Sequence, residues 1–174
     1  MGISIREASA ADAEAIADLH AQSWRTAYRG IMTDEFLDGS VFEDRRTVWH
    51  DRMAKGEMIV LLAEREGRLA GFAAYALDAD PRWGTLLDNL HVDPDAKGGG
   101  IGRALFGRGA ARILRERPDG GIHLYVYEAN TPAIGFYERI GGRRVETLVD
   151  APGCVPGKPV HCYYWPADKL QALV

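Results

Sequence analysis

The sequence predicts a mixed α/β fold, an α+β arrangement in which helices flank a central, mostly antiparallel twisted sheet. Three observations support this. β-type segments recur from the first residues to the last, two of them meet at a tight Glu66-Gly67 turn, and residues 85–127 read as strand, helix, strand. A two-residue turn makes an antiparallel hairpin, and the last run is long enough for a parallel crossover. With 174 residues, 47% of them hydrophobic, the chain has material for one core, and 1–174 reads as a single domain.

Taken in order, Ile3 and Ile5 alternate with polar residues as a first strand, and Ser9 with Asp12 reads as a capping box. Ala13, Ile16, Ala17 and His20 follow at helical spacing. The aromatic segment 23–33 reads as a loop closed by Gly30, with Thr33 capping a short helix. A further helix over 41–53 turns Val41, Phe42, Val48, Trp49 and Met53 inward and its charges outward.

Strands over 58–64 and 69–77 form the hairpin, the Pro-containing segment 78–84 is a loop, and 85–92 is the next strand. Pro94 stops it. The segment Lys97-Gly98-Gly99-Gly100-Ile101-Gly102-Arg103 then passes into a helix with Phe106, Ala110, Ile113 and Leu114 on one face, ended by 118–121. Residues 122–127 alternate as a strand. Thr131 reads as N-cap of the next helix, with Pro132 at its first position, Gly141 past its end, and Ala133, Phe136, Tyr137 and Ile140 as its stripe. Strands over 142–149 and 160–165, joined by the Pro- and Gly-rich loop 150–159, complete the chain.

The glycine run opening a helix has the form of a phosphate cradle. Residues without a Cβ let backbone N–H groups approach an anion, and the helix N-terminus adds unpaired donors and a favourable dipole. Two familiar versions fail. A Walker A loop needs Gly-Lys followed by Ser or Thr, but Lys97 precedes the glycines. The dinucleotide fingerprint needs a glycine where Arg103 or Leu105 stands. Glu128, at a strand end, keeps a nucleotide-binding reading open as an acidic ribose contact.

Two blocks in order, Val92-x-Pro94-x-x-Lys97-Gly98-Gly99-Gly100-Ile101-Gly102-x-x-Leu105 and Leu124-x-Val126-x-x-x-Asn130-x-x-Ala133-Ile134-x-Phe136-Tyr137, resemble the acetyl-CoA binding core of the GCN5-related N-acetyltransferases. The resemblance spans 85–142. Lys97 departs from the family's usual Gln or Arg, keeping the charge and losing the fork of an arginine.

The resemblance implies an N-acetyltransferase that moves an acetyl group from acetyl-CoA, as co-substrate and without a metal, to a primary amine by direct transfer in a ternary complex. It also implies one parallel strand pair splayed at the acyl-CoA site. The pyrophosphate would lie on backbone N–H groups over Gly98, Gly99, Gly100, Ile101, Gly102 and Arg103, beside Lys97. The pantetheine arm would pair with the strand edge at Leu90, His91 and Val92, Asn130 would hold a pantetheine amide directly or through water, and Tyr137 would be the general acid. For the base, Asp88 and His91 are candidates, and loss of the amine proton to solvent needs neither. Acceptor recognition falls to 24–32, 78–84 and 150–159, with Trp24, Tyr28, Tyr75 and Trp83 as candidate pocket walls. The rival reading is a non-catalytic sensor of acyl-CoA or a nucleotide.

A net charge of -4 lacks the basic excess of a nucleic-acid or anionic-membrane binder. The expected partners are a small-molecule or peptide amine, with no nucleic acid, no membrane, and a homodimer through an exposed strand edge as an option the sequence leaves open. No apolar run approaches a membrane span, and the first seven residues lack signal-peptide character, so the expected location is cytoplasmic. Cys154 and Cys162 fit no zinc spacing and are expected reduced, and His20, His50 and His123 are expected to be packed or surface groups.

Overall fold

The computed structural model describes residues 2–151 and 153–174. Met1, and Pro152 of the predicted 150–159 loop, lie outside the described residues. The elements run β1 (Ile3–Glu7), α1 (Ala13–Ala27), α2 (Asp34–Asp38), α3 (Val41–Lys55), β2 (Ile59–Arg65), β3 (Arg68–Asp80), β4 (Gly84–Val92), α4 (Ile101–Glu116), β5 (Ile122–Tyr127), α5 (Thr131–Arg139), β6 (Arg143–Leu148), β7 (Val160–Trp165) and α6 (Ala167–Gln171). One sheet takes every strand in the order β1-β2-β3-β4-β5-β7-β6. All neighbours are antiparallel except β4 and β5. The mixed fold with a mostly antiparallel sheet is therefore present. Among the described residues no helix is long and apolar enough to cross a membrane.

The hydrophobic stripes decide which face each helix covers. Ile16, Ala17 and Leu19 of α1 and Trp49 of α3 pack on Val60, Leu62, Phe72 and Ala74 of the sheet. On the other face Ile101, Leu105, Phe106, Ala110 and Ile113 of α4 pack on Leu61, Ala73, Tyr75 and Leu87, with Leu170 of α6 sealing the end. Gly109 lets α4 come down on Tyr75, since a Cβ there would overlap the phenol ring.

Four expectations change. Residues 23–27 are helical, because α1 runs on to Ala27. Strand β3 continues through Asp80, so the expected 78–84 loop shrinks to a tight turn held by Asp80 Oδ1, which accepts from the N–H groups of Arg82 and Trp83. The N-cap of α5 is Asn130, not Thr131; its side chain accepts from Ala133 N–H at 3.4 Å while Thr131 is already helical. Tyr75 is fully buried against α4, its hydroxyl donating to the Leu105 carbonyl at 3.2 Å, so it walls no pocket.

Two irregularities shape the centre of the sheet. Strands β4 and β5 pair only at Thr85 with Ile122 and Leu86 with His123, and then separate. On its other edge β4 slips register against β3: Leu87 faces Tyr75 and Asn89 faces Ala74. Asp88 is thus the extra residue of a β-bulge, a device that bends a strand and re-aims side chains.

Candidate active site

The gap between β4 and β5 opens a cleft of about 900 Å3. At one end stands the glycine loop. Gly98 and Gly100 have φ of +80° and +77°, a conformation side chains resist, and a 3-10 turn over Pro94–Ala96 delivers the chain to them. Gly100 is the N-cap of α4 and gives it no side-chain cap; Ala104 N–H bonds to the Gly100 carbonyl, whereas the first turn, Ile101 to Arg103, carries no acidic group. Its first N–H groups are those any helix leaves unpaired. Gly102 lies under Phe136 of α5, where a Cβ would be 3.1 Å from the ring.

Of the expected site residues, Asp88, Leu90, His91, Val92, Lys97, Gly98, Gly100, Ile101, Gly102, Arg103, Asn130 and Tyr137 all border this cleft. Gly99 does not border it, although it sits within the same exposed loop. The free edge of β4 beyond Leu86 and the uncapped end of α4 therefore face one space. A phosphate-bearing ligand with an extended arm fits these residues: free N–H groups and the Lys97 and Arg103 cations suit the phosphates, and an unpaired strand edge suits an amide arm.

Tyr137 is half-buried on α5, with its ring 6.1 Å from Trp165 and 6.4 Å from Tyr163. Burial pushes its phenol well above the ordinary value, so it holds its proton at neutral pH. His91 departs from what a base near neutrality requires. Desolvation, then the charges of Lys97 and Arg45, hold its pKa down at about 3. Its Nδ1 is 2.8 Å from Ser23 Oγ, which fixes the ring on the α1 side of the sheet.

Asp88 in the bulge pairs with Arg52 of α3 at 2.6 Å and accepts from the Asn89 amide. Trp24 and Tyr28 of the expected acceptor segment border the cleft, with ring centroids 5.4 Å apart, and Tyr28 meets Tyr127 edge-on at 5.3 Å. Trp83 stacks instead on Tyr164, away from it. Gly153 and Cys154 represent the 150–159 loop, and both cysteines are free thiols. His20 and His123 are buried and His50 is exposed, as expected of packed and surface groups.

Arg45, Arg52 and Ser23 are cleft residues that the sequence did not mark. A signal was available: Arg45 and Arg52 flank Val48 and Trp49 at i, i+3, i+4, i+7, so the inward stripe carries the two guanidiniums with it. Among the described residues no cluster of three or more His, Cys, Asp or Glu could hold a metal ion.

Comparison with known proteins gives a consistent result. Residues 14–142 match the acetyltransferase (GNAT) family. An uncharacterized N-acetyltransferase, YuaI, of Bacillus subtilis (strain 168) is 28% identical over 145 residues, 82% of each chain. A mycothiol acetyltransferase of Thermomonospora curvata is 39% identical over 95 residues, which are 53% of this chain and only 31% of that protein. The crystal structure of the PaiA N-acetyltransferase of Thermoplasma acidophilum in complex with coenzyme A superposes with a TM-score of 0.74 at 22% identity, covering 95% of this chain and 100% of that one.

Proposed function

Because the chain belongs to the acetyltransferase (GNAT) family, an enzyme family whose acyl donor is acetyl-CoA, we propose that it acetylates a primary amine of a small molecule or peptide by direct transfer within a ternary complex. One observation supports this most: the uncapped, glycine-led end of α4 and the phenol of Tyr137 border the same cleft, opened where β4 leaves β5.

Acetyl-CoA supplies an activated thioester whose acyl carbon an amine can attack. The chain's residues then have three tasks. Backbone N–H groups from Gly98 to Arg103, with Lys97, hold the phosphates, and the β4 edge at Leu90, His91 and Val92 with Asn130 aligns the arm. A backbone N–H at Leu90 or His91 donates to the acyl oxygen as it gains charge. Tyr137 gives its proton to the sulfur as the C–S bond breaks. A phenol is less acidic than a thiol even before burial, so this transfer has to accompany bond cleavage and not precede it.

For the amine proton we assign Asp88, which the bulge sets on the cleft, over His91, whose ring is too weakly basic in this setting. A thiol-release assay over a panel of amines tests the reading. Amine-dependent release of CoA is the expected result; tight acetyl-CoA binding with no amine-dependent release would favour a sensor.

A further inference from the structure

We propose that the acceptor carries a carboxylate as well as its amine, and that Arg45, with the indole N–H of Trp24 and the imidazole N–H of His20, forms the subsite that holds it. This rests on the acyl-transfer reading above and adds the acceptor's chemical class.

The α1–α3 wall of the cleft has donors to spare. Arg45 Nε and Nη2 both go to Asp44 Oδ2, at 2.8 and 2.5 Å, leaving Nη1 uncommitted. Its guanidinium lies 4.2 Å over the Trp24 ring, which fixes its plane and occupies that aromatic face. Trp24 Nε1 is buried without a partner.

His20, 1% exposed, is equally constrained. An indole can only donate, and Trp49 Nε1 donates to His20 Nδ1 at 2.8 Å. The neutral ring therefore carries its proton on Nε2, which is also buried without a partner. Unpaired buried donors are costly and call for an acceptor.

Among the described residues, the carboxylates bordering the cleft are Asp80 and Asp88, and both have cationic partners; the contacts of Asp88 fall on Oδ2, which leaves Oδ1 for the reacting amine. Asp88 serves Arg52 and Asn89, and Asp80 holds its own turn and pairs with Arg82. A second ammonium group on the acceptor would meet the Arg45 guanidinium at this wall. The Arg45 guanidinium over Trp24, and the His20 ring 4.6 Å from Trp24, make one cluster of donors, and a carboxylate offers it two oxygens, as an amino acid or a peptide with a nearby C-terminus would.

The test compares kcat/KM for alanylalanine, its C-terminal amide and putrescine, in wild type and in R45Q and R45K. The wild type is expected to favour the free acid over the amide by about tenfold or more. R45Q should abolish that ratio and R45K retain part of it, both with unchanged KM for acetyl-CoA. Equal use of acid and amide by the wild type, or an equal loss on all acceptors in both variants, would overturn the subsite. Calorimetry of the CoA-saturated protein with N-acetylated alanylalanine and its amide reads the subsite without chemistry. Acid-selective binding by a protein that releases no CoA would overturn the acyl-transfer reading and leave the carboxylate subsite standing.

Discussion

The two ends of the cleft are built from different material. The glycine-loop end is made of backbone: positive φ at Gly98 and Gly100 and the uncapped start of α4. The α1–α3 end is made of side chains from separate segments, Trp24 and Tyr28 of α1, Arg45 and Arg52 of α3, and Asp88 of β4. Backbone recognition depends on where side chains are missing, and so it can serve one ligand across many sequences. Side-chain recognition depends on which groups happen to meet, and so it can be re-specified by substitution. The first end suits a donor shared by a whole family, the second an acceptor particular to one protein.

The largest test falls where the two ends meet. Tyr137→Phe is expected to cut kcat by roughly ten- to a thousandfold with little change in KM for acetyl-CoA, since only the proton donor is lost. Unchanged turnover in steady-state assays would remove the assignment. Asp88→Asn should lower kcat/KM for the amine by about a hundredfold and flatten its dependence on pH; a variant that keeps the wild-type profile would show that the amine reaches the site already neutral.

Gly100→Val probes the backbone end alone. A β-branched residue at φ +77° costs about 1–2 kcal/mol, so the KM for acetyl-CoA should rise by roughly tenfold while kcat on saturating donor changes little. An equal fall in amine affinity would break the division between the ends.

The smallest effect concerns stability. His20 and His91, both on the side-chain end, have lowered pKa values, chiefly from burial. Above about pH 6.5 both folded and unfolded forms are neutral there and the stability is fully present. As pH falls from there toward about 3, the unfolded chain takes up protons that the folded chain refuses. The unfolding free energy from urea titrations should therefore drop between pH 7 and pH 5, by at most about 1.4 kcal/mol per pH unit for each histidine. His91→Gln should flatten that slope.

The same contrast governs what the sequence could tell. The glycine loop was legible because Gly98 and Gly100 must be glycine for the chain to turn there, and the second block placed Asn130 and Tyr137 beside it. The N-cap of α5 falls one residue before the expected Thr131 because Asn130 and Thr131 are both good caps, and only the backbone chooses between them. The bulge at Asp88 left no trace in the run Leu86-Leu87-Asp88-Asn89-Leu90, because alternation cannot show a register slip that the partner strand imposes. The burial of Tyr75 is hidden for a related reason: Gly109, on a distant helix, makes its socket. Arg45 and Arg52 look like ordinary surface charges until α3 is laid across the sheet.

The brief pairing of β4 with β5 has a mechanical meaning. Two residue pairs stitch a four-strand block, β1 to β4, to a three-strand block, β5 to β6, and beyond them the seam is open. On the proposed reading the donor's arm would lie along that seam like an eighth strand. The substrate would then be a structural clasp as well as a reactant, stiffening the two blocks against each other for as long as the acyl group is in play. Slowed amide exchange over 87–92 when CoA binds would be the mark of that clasp, and release of the spent thiol would loosen the sheet that carried out the transfer.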